Sequence, residues 1–268
     1  MEHTKALFAL LAMLTLTATA KSQVSYDFQA VTPTGDTLLY TIIDSAAHHV
    51  SVRADAWSYN THYIHYNPDL VLPDSVEHGG ETYAVTQIEA EAFQSHREIE
   101  TIMVPDGITS IGNNAFYGCR SLESIEIPST VERIGIGAFH GCISLESVDI
   151  PESVCSVERF AFYKCKLLED IVLPEGLEII ENDTFALCRN LISVNIPDTV
   201  REIGNHAFYE CISLEYVTVP ERTEYVGAAA FENCKSLKLT FRSWDTKFDK
   251  TAFQGVREVV HNSLERPA

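Results

Sequence analysis

The pattern Ala-Phe-x-x-Cys-x-x-Leu returns every 23 residues through most of this chain, and that period limits what it can fold into. Phe93, Phe116, Phe139, Phe162, Phe185, Phe208 and Phe231 share the spacing. So do Cys119, Cys142, Cys165, Cys188, Cys211 and Cys234, and the prolines from Pro105 to Pro220. A fixed repeat of this size implies a solenoid, in which each coil buries its apolar side only against its neighbours. Such a chain presents long surfaces instead of enclosing a central pocket.

One coil can be read from residues 122 to 145. Leu122, Ile125 and Ile127 alternate as the inward side of a short strand, and Pro128 ends it because proline has no N–H to give a ladder. Val131 and Ile134 turn inward along a second, looser extended segment. Gly135 is expected to permit a bend, after which Ala138, Phe139 and Cys142 pack down as one helical or 3-10 turn. Burial within one coil does not offset the entropy of ordering 23 backbones, so stacking is obligatory. The last coil keeps phase only after a one-residue deletion near Lys238, which brings Leu239, Phe241, Phe248, Ala252, Phe253, Val256 and Val259 inward.

Before the repeats, alternating strands around Thr34-Gly35-Asp36-Thr37 and a hairpin turning at His78-Gly79-Gly80-Glu81 read as an N-terminal β cap. The resulting division is residues 1–20, 21–87, 88–260 and 261–268. These are a leader, the cap with its hairpin, the solenoid and a polar tail that is expected, with Trp244, to close the far end of the solenoid. The leader is an apolar run from Ala6 to Ala20 behind Lys5, with Ala18-Thr19-Ala20 before Lys21, and reads as a secretory signal peptide too short to span a bilayer. The expected location is therefore outside the cytoplasm: extracellular, cell-surface or periplasmic, without membrane insertion.

With 38 acidic and 19 basic residues the net charge is −19, which opposes nucleic acid and anionic lipid and favours cationic partners. Seven cysteines in an exported chain would ordinarily suggest disulfides. Six of them occupy one repeat position, however, and a column of parallel side chains does not supply the convergent Cβ vectors a disulfide needs. They are expected to be small buried hydrophobes with inert thiols, whereas Cys155, at a position that holds Glu132, Glu178 and Arg201 in other coils, is expected to be exposed.

The run Ile-Pro-x-x-Val-x-x-Ile-Gly-x-x-Ala-Phe-x-x-Cys-x-x-Leu-x-x-Ile-x-Ile, nearly complete at Ile127 to Ile150 and at Ile196 to Val219, resembles the BspA-like leucine-rich repeats of bacterial surface proteins. Tyr83 to Ile88 is similar to the lead-in segment of that family. Departures are local: Glu158 and Glu181 stand in place of the glycine, Thr184 of the alanine and Thr223 of the valine. The resemblance implies a right-handed leucine-rich-repeat solenoid of seven to nine short parallel strands with 3-10 or helical turns and the β cap. It also implies a non-enzymatic recognition or adhesion protein with a protein partner, host matrix and cell-surface proteins included; the oligomeric state is left open, with a monomer favoured. The motif is scaffold and carries no ligand of its own.

The candidate binding surface is the strand face. Glu100, Glu123, Glu146, Glu169 and Glu215 share one column, with Glu126, Asp149, Asp170 and Tyr216 beside it. Stacked about 4.8 Å apart, such carboxylates repel unless a cation or a basic segment lies over them. A solvated charged face that blocks edge association accounts for the same residues. Arg97, Arg120, Lys166, Arg189 and Lys235 make the turn edge more basic, and Tyr117, Tyr163 and Tyr209 recur beside the phenylalanines. A second reading is a glycan- or Ca-binding accessory protein using Trp57, Tyr59, Tyr63 and Tyr66 of the cap, and a third is a hydrolase with an unrecognised site. His48, His49, His62, His65 and His78 gather in the cap, but strand alternation puts His62 and His65 on opposite faces, which argues against a metal site. No nucleophile motif, phosphate loop or zinc spacing is present, so no cofactor is expected. Asn182-Asp183-Thr184 fits a glycosylation sequon.

Overall fold

The computed structural model describes residues 25–54 and 66–261. The cap opens with β1 (Phe28–Val31) and β2 (Thr37–Asp44), paired antiparallel across the Thr34-Gly35-Asp36 turn, and β2 pairs antiparallel with β3 (His49–Arg53). After β4 (Asp69–Val71), β5 (Ser75–His78) and β6 (Glu81–Ile88) form the hairpin, closed by Gly79 and Gly80 at φ 64° and 88°. Trp57, Tyr59, Tyr63, His62, His65 and the leader lie outside the described residues.

The chain then alternates longer and two-residue strands: β7 (Thr101–Met103), β8 (Ser110–Ile111), β9 (Ser124–Glu126), β10 (Arg133–Ile134), β11 (Ser147–Asp149), β12 (Ser156–Val157), β13 (Asp170–Val172) and β14 (Ile179–Ile180). The alternation continues with β15 (Ser193–Asn195), β16 (Glu202–Ile203), β17 (Tyr216–Val219), β18 (Tyr225–Val226), β19 (Lys238–Phe241), β20 (Lys247–Phe248) and β21 (Glu258–His261). The longer strands, with β4 at one edge and β21 at the other, form a nine-stranded parallel sheet. The two-residue strands form the second wall, which β3 and β6 of the cap extend in parallel through β8. Tyr216 pairs with Lys238, a step of 22 residues, which is the deletion expected from the sequence.

The third side of each coil carries turns and, among the described residues, no helix. Cys119 N–H donates to Phe116 O and Leu122 N–H to Cys119 O, the i to i−3 pattern of separate tight turns. Meanwhile the N–H groups of Asn114, Phe116 and Gly118 donate to Ile136 O, Ala138 O and His140 O of the next coil, at 2.7 to 2.8 Å. Bonding outward at alternate residues is incompatible with a helix, which satisfies its N–H groups internally. It is accompanied by two left-handed positions per coil. One column runs Glu91, Asn114, Gly137, Phe160, Asp183, His206 and Ala229, and the other Ser95, Gly118, Gly141, Lys164, Leu187, Glu210, Asn233 and Gly255. Non-glycine residues there cost about 1–2 kcal/mol each, a strain the inter-coil ladder offsets.

Inside, the phenylalanines stack in register. Phe116, Phe139 and Phe162 have ring centroids 5.3 and 5.2 Å apart and are tilted by only 13° and 8°. The column runs unbroken from Phe93 to Phe231. Beside it each column thiol donates to a phenylalanine carbonyl of the preceding coil, from Cys119 Sγ to Phe93 O at 2.9 Å through Cys234 Sγ to Phe208 O at 3.1 Å. All six are free and buried, and Cys155 is exposed. Burial raises the thiol pKa throughout the column, to about 12 at Cys188 and Cys234.

The repeat glycine has a different role from the bend expected of it. Gly204 does not occupy the left-handed region, but a Cβ there would sit 2.7 Å from Asn182 N and 2.8 Å from Glu181 C of the previous coil. Glycine is needed because two backbones approach closely. Beside it the Asn182 side-chain oxygen accepts from Asn205 N–H at 2.7 Å, and Asn205 Oδ1 from Ala228 N–H at 2.7 Å. Asn182, the candidate sequon residue, thus bonds the next coil. The second wall is interrupted between β12 and β14, where Glu158 and then Glu181 replace glycine.

Gly204→Ala is expected to lower stability by about 1–3 kcal/mol through this overpacking, read as a lower urea midpoint at unchanged m-value. For the thiols the sign is fixed by linkage. A raised folded pKa means stability that is complete below the unfolded value near 9 and falls as pH rises toward the folded values, by about 1.4 kcal/mol per thiol per unit. Thermal midpoints should therefore drop steeply between pH 9 and 11, and native alkylation followed by mass spectrometry should label Cys155 alone. A flat profile to pH 11, or labelled column cysteines below it, contradicts this packing.

Candidate recognition face

The outer side of the nine-stranded sheet carries every candidate residue, and the register sorts them into three columns. Glu100, Glu123, Glu146 and Glu169 are joined directly, each N–H donating to the carbonyl of the one before at 2.8 to 3.3 Å. Ile192 then interrupts, its N–H bonded to Glu169 O and its carbonyl to Glu215 N–H. Glu126 and Asp149 are direct partners in a second column, which continues through Val172 and Asn195. Asp170 belongs to a third, beside Ser193, which itself pairs with Tyr216.

All nine candidates are exposed. None of the eight carboxylates joins an ion pair among the described residues. Asp170 accepts a hydrogen bond from Ser193 Oγ at 2.6 Å. The basic residues of the turn edge therefore do not neutralise this face; Arg189, for example, pairs with Glu210 at 2.7 Å.

Reading the sequence alone missed the apolar part of the face. Met103 is 58% exposed, Val172 60% and Ile192 41%, beside Tyr216 at 64%. Each stands at an outward register position with a polar neighbour: Met103 pairs with Glu126, Val172 with Asn195 and Tyr216 with Ser193, and Ile192 lies between Glu169 and Glu215. The available signal was phase: in a strand, the residue next to an inward Ile or Val points to the opposite face, as Met103 does beside Ile102 and Val172 beside Ile171.

Other candidates are placed elsewhere. Tyr117 and Tyr163 are half-buried and sandwich His140 at 4.5 and 4.7 Å, so they shield the phenylalanine column. Desolvation, with Lys164 nearby, lowers the His140 pKa. Tyr66 is buried edge-on against His96 and offers no stacking platform. His78 stacks on Phe28 at 4.2 Å and His48 on Tyr83. Among the described residues no group of three or more His, Cys, Asp or Glu is placed to hold a metal, and no helix is long and apolar enough to cross a membrane. Trp244 stacks on His261 at 4.4 Å, while Phe248 and Val259 remain about half exposed at the end of the solenoid.

A family model described as a BspA-type leucine-rich-repeat region matches in six copies, over residues 86–201 and 178–266. The chain belongs to this family. Among solved structures it is similar to a leucine-rich cell-surface protein of Faecalibacterium prausnitzii, with 27% identity and a TM-score of 0.67 over 83% of this chain and 56% of that one. It thus spans little more than half the length of that relative. A leucine-rich-repeat protein of T. pallidum shares the fold, with a TM-score of 0.56 and 24% identity over 87% of this chain and 88% of that one. No match was found among curated proteins. The family and fold are those of a repeat scaffold whose relatives include bacterial surface proteins.

Adjacent carboxylates about 4.8 Å apart repel by somewhat under 1 kcal/mol per pair in water. Changing Glu123, Glu146 and Glu169 together to Gln should therefore leave the fold intact and raise stability by about 1–2 kcal/mol at low salt. The gain should vanish in 1 M salt, where the Debye length falls to about 3 Å. Paired denaturation curves at the two ionic strengths measure it.

Proposed function

We propose that this chain is an exported, non-enzymatic recognition module that binds a protein partner through the outer face of the nine-stranded sheet. The observation that carries the reading is the combination on that face of unpaired carboxylates with the exposed Met103, Val172, Ile192 and Tyr216. Single exposed apolar side chains are ordinary on a surface, but four of them interspersed with unpaired carboxylates on one sheet face suit a docking surface. Aromatic and aliphatic anchors within a ring of charge are what protein interfaces use, the anchors giving affinity and the charges orientation. The matching surface on a partner is apolar at its centre and basic around it. Outside the cytoplasm such a partner is a surface or matrix protein, of a host or of another cell. The apolar leader of residues 6 to 20 and the cell-surface relative support that location.

The test is affinity capture of extracellular and matrix proteins by residues 21–268, with and without Ca, followed by titration of the partner obtained. Tyr216→Ala and the Glu123, Glu146 and Glu169 triple change to Gln should each weaken binding at least tenfold with an unchanged thermal transition. Wild-type affinity should fall with salt. Undiminished affinity in both variants would move the interface off this face.

A further inference from the structure

The second wall carries a feature that the repeat does not explain. Where β3 of the cap runs into the two-residue strands, Ser51 pairs with Gln87, Gln87 with Ser110 and Ser110 with Arg133. These four residues form one row across adjacent strands, about 14 Å from end to end. They floor an open groove of about 400 Å³, with Arg53 at one end and Arg133 at the other.

The hydrogen-bonding balance of the groove is one-sided. Glu89 has both oxygens engaged, Oε1 by Ser51 Oγ at 2.6 Å and Oε2 by Arg53 Nη1 at 3.2 Å. Asn113 Oδ1 already accepts from Arg133 Nη2 and from Ile136 N–H, both at 3.0 Å. Glu158 takes Arg133 Nε at 2.6 Å. Each of these oxygens already accepts at least one bond, whereas each guanidinium has five N–H donors, of which one or two are used among the described residues. Arg53 Nε is buried with no hydrogen-bond partner among the described residues. An unsatisfied buried donor is costly, and an arginine fork matches a carboxylate better than any other group.

We propose that this groove binds an acidic sugar, one or two rings in size, whose carboxylate is taken by an arginine and whose hydroxyls meet Gln87, Ser110 and Asn113. The floor gives and accepts hydrogen bonds, as ring hydroxyls require. The volume lies at the small end of ligand sites, so it accommodates a short saccharide and not a protein surface. A net charge of −19 repels a long polyanion but scarcely hinders a ligand carrying one carboxylate. The site is on a different wall from the strand face and does not depend on the function proposed for that face.

Calorimetric titration of the protein with D-glucuronate and N-acetylneuraminate tests the site, with glucose and glutarate as the uncharged-sugar and hydroxyl-free carboxylate arms. At least one acidic sugar should bind saturably, and at least tenfold more tightly than glucose or glutarate. Arg133→Gln, at a side chain 40% exposed, should weaken that binding at least tenfold with the fold intact. Ser110→Asp, which places a carboxylate in the floor, should do the same and decides the matter if the first variant does not fold. Absence of binding by both acidic sugars, equal binding of glutarate or glucose, or wild-type affinity in a folded variant would overturn the assignment.

Discussion

Everything in this molecule depends on equivalent residues of successive coils lying directly over one another. The phenylalanine rings stack 5.1 to 5.6 Å apart along the solenoid. That spacing is close to the separation of neighbouring strands, so rings and backbones advance together. The thiols and asparagine amides then reach one coil back or forward to bond the backbone. One misplaced residue would break all of these at once. The core is therefore built from nearest-neighbour contacts, and stability grows coil by coil.

The same constraint leaves the outward positions free. Because Ile125, Val148 and Ile171 alone satisfy the inward side of their strands, the residues between them can be chosen for what they meet outside. On the sheet face that choice has produced carboxylates without cations and apolar side chains without cover. On the opposite wall, near the cap, it has produced two arginines whose carboxylate partners leave most of their donors unused. A mostly acidic chain thus carries the surface proposed to take a basic, apolar partner and the groove proposed to take a small anion.

The inward half of this architecture was legible in the sequence because every coil repeats it. Phe, Cys, Pro and the strand aliphatics recur at 23 residues, and the 22-residue step into Lys238 could be placed from Leu239 and Phe241. Period reveals recurrence but not its cause. Gly135 reads as a bend, yet it and Gly204 mark close contacts between backbones. The turn read as helical or 3-10; it has i to i−3 bonds, yet alternate N–H groups bond the next coil and no helix forms among the described residues. Glu100 to Glu169 could be aligned by counting, whereas Met103, Val172 and Ile192 were hidden because an apolar residue in a repeat protein looks like core until its phase is fixed. The groove was invisible for a different reason. Arg53 and Arg133 are 80 positions apart, and they line one groove only because β3 pairs in parallel with β6, a cap contact no repeat encodes.

The central claim is that 23-residue coils are interchangeable units held only by their neighbours. Removing residues 124–146 joins Glu123 to Ser147, the register partner of Ser124, and so excises one whole coil in phase. Removing residues 124–143 cuts a similar length out of phase. Equilibrium urea unfolding of the two deletions, followed by circular dichroism, separates the possibilities. The in-phase protein should unfold cooperatively, with an m-value reduced in proportion to the surface one coil buries, while the out-of-phase protein should show no cooperative transition. Loss of cooperative unfolding in the in-phase deletion, or equal stability of the two, would contradict the account.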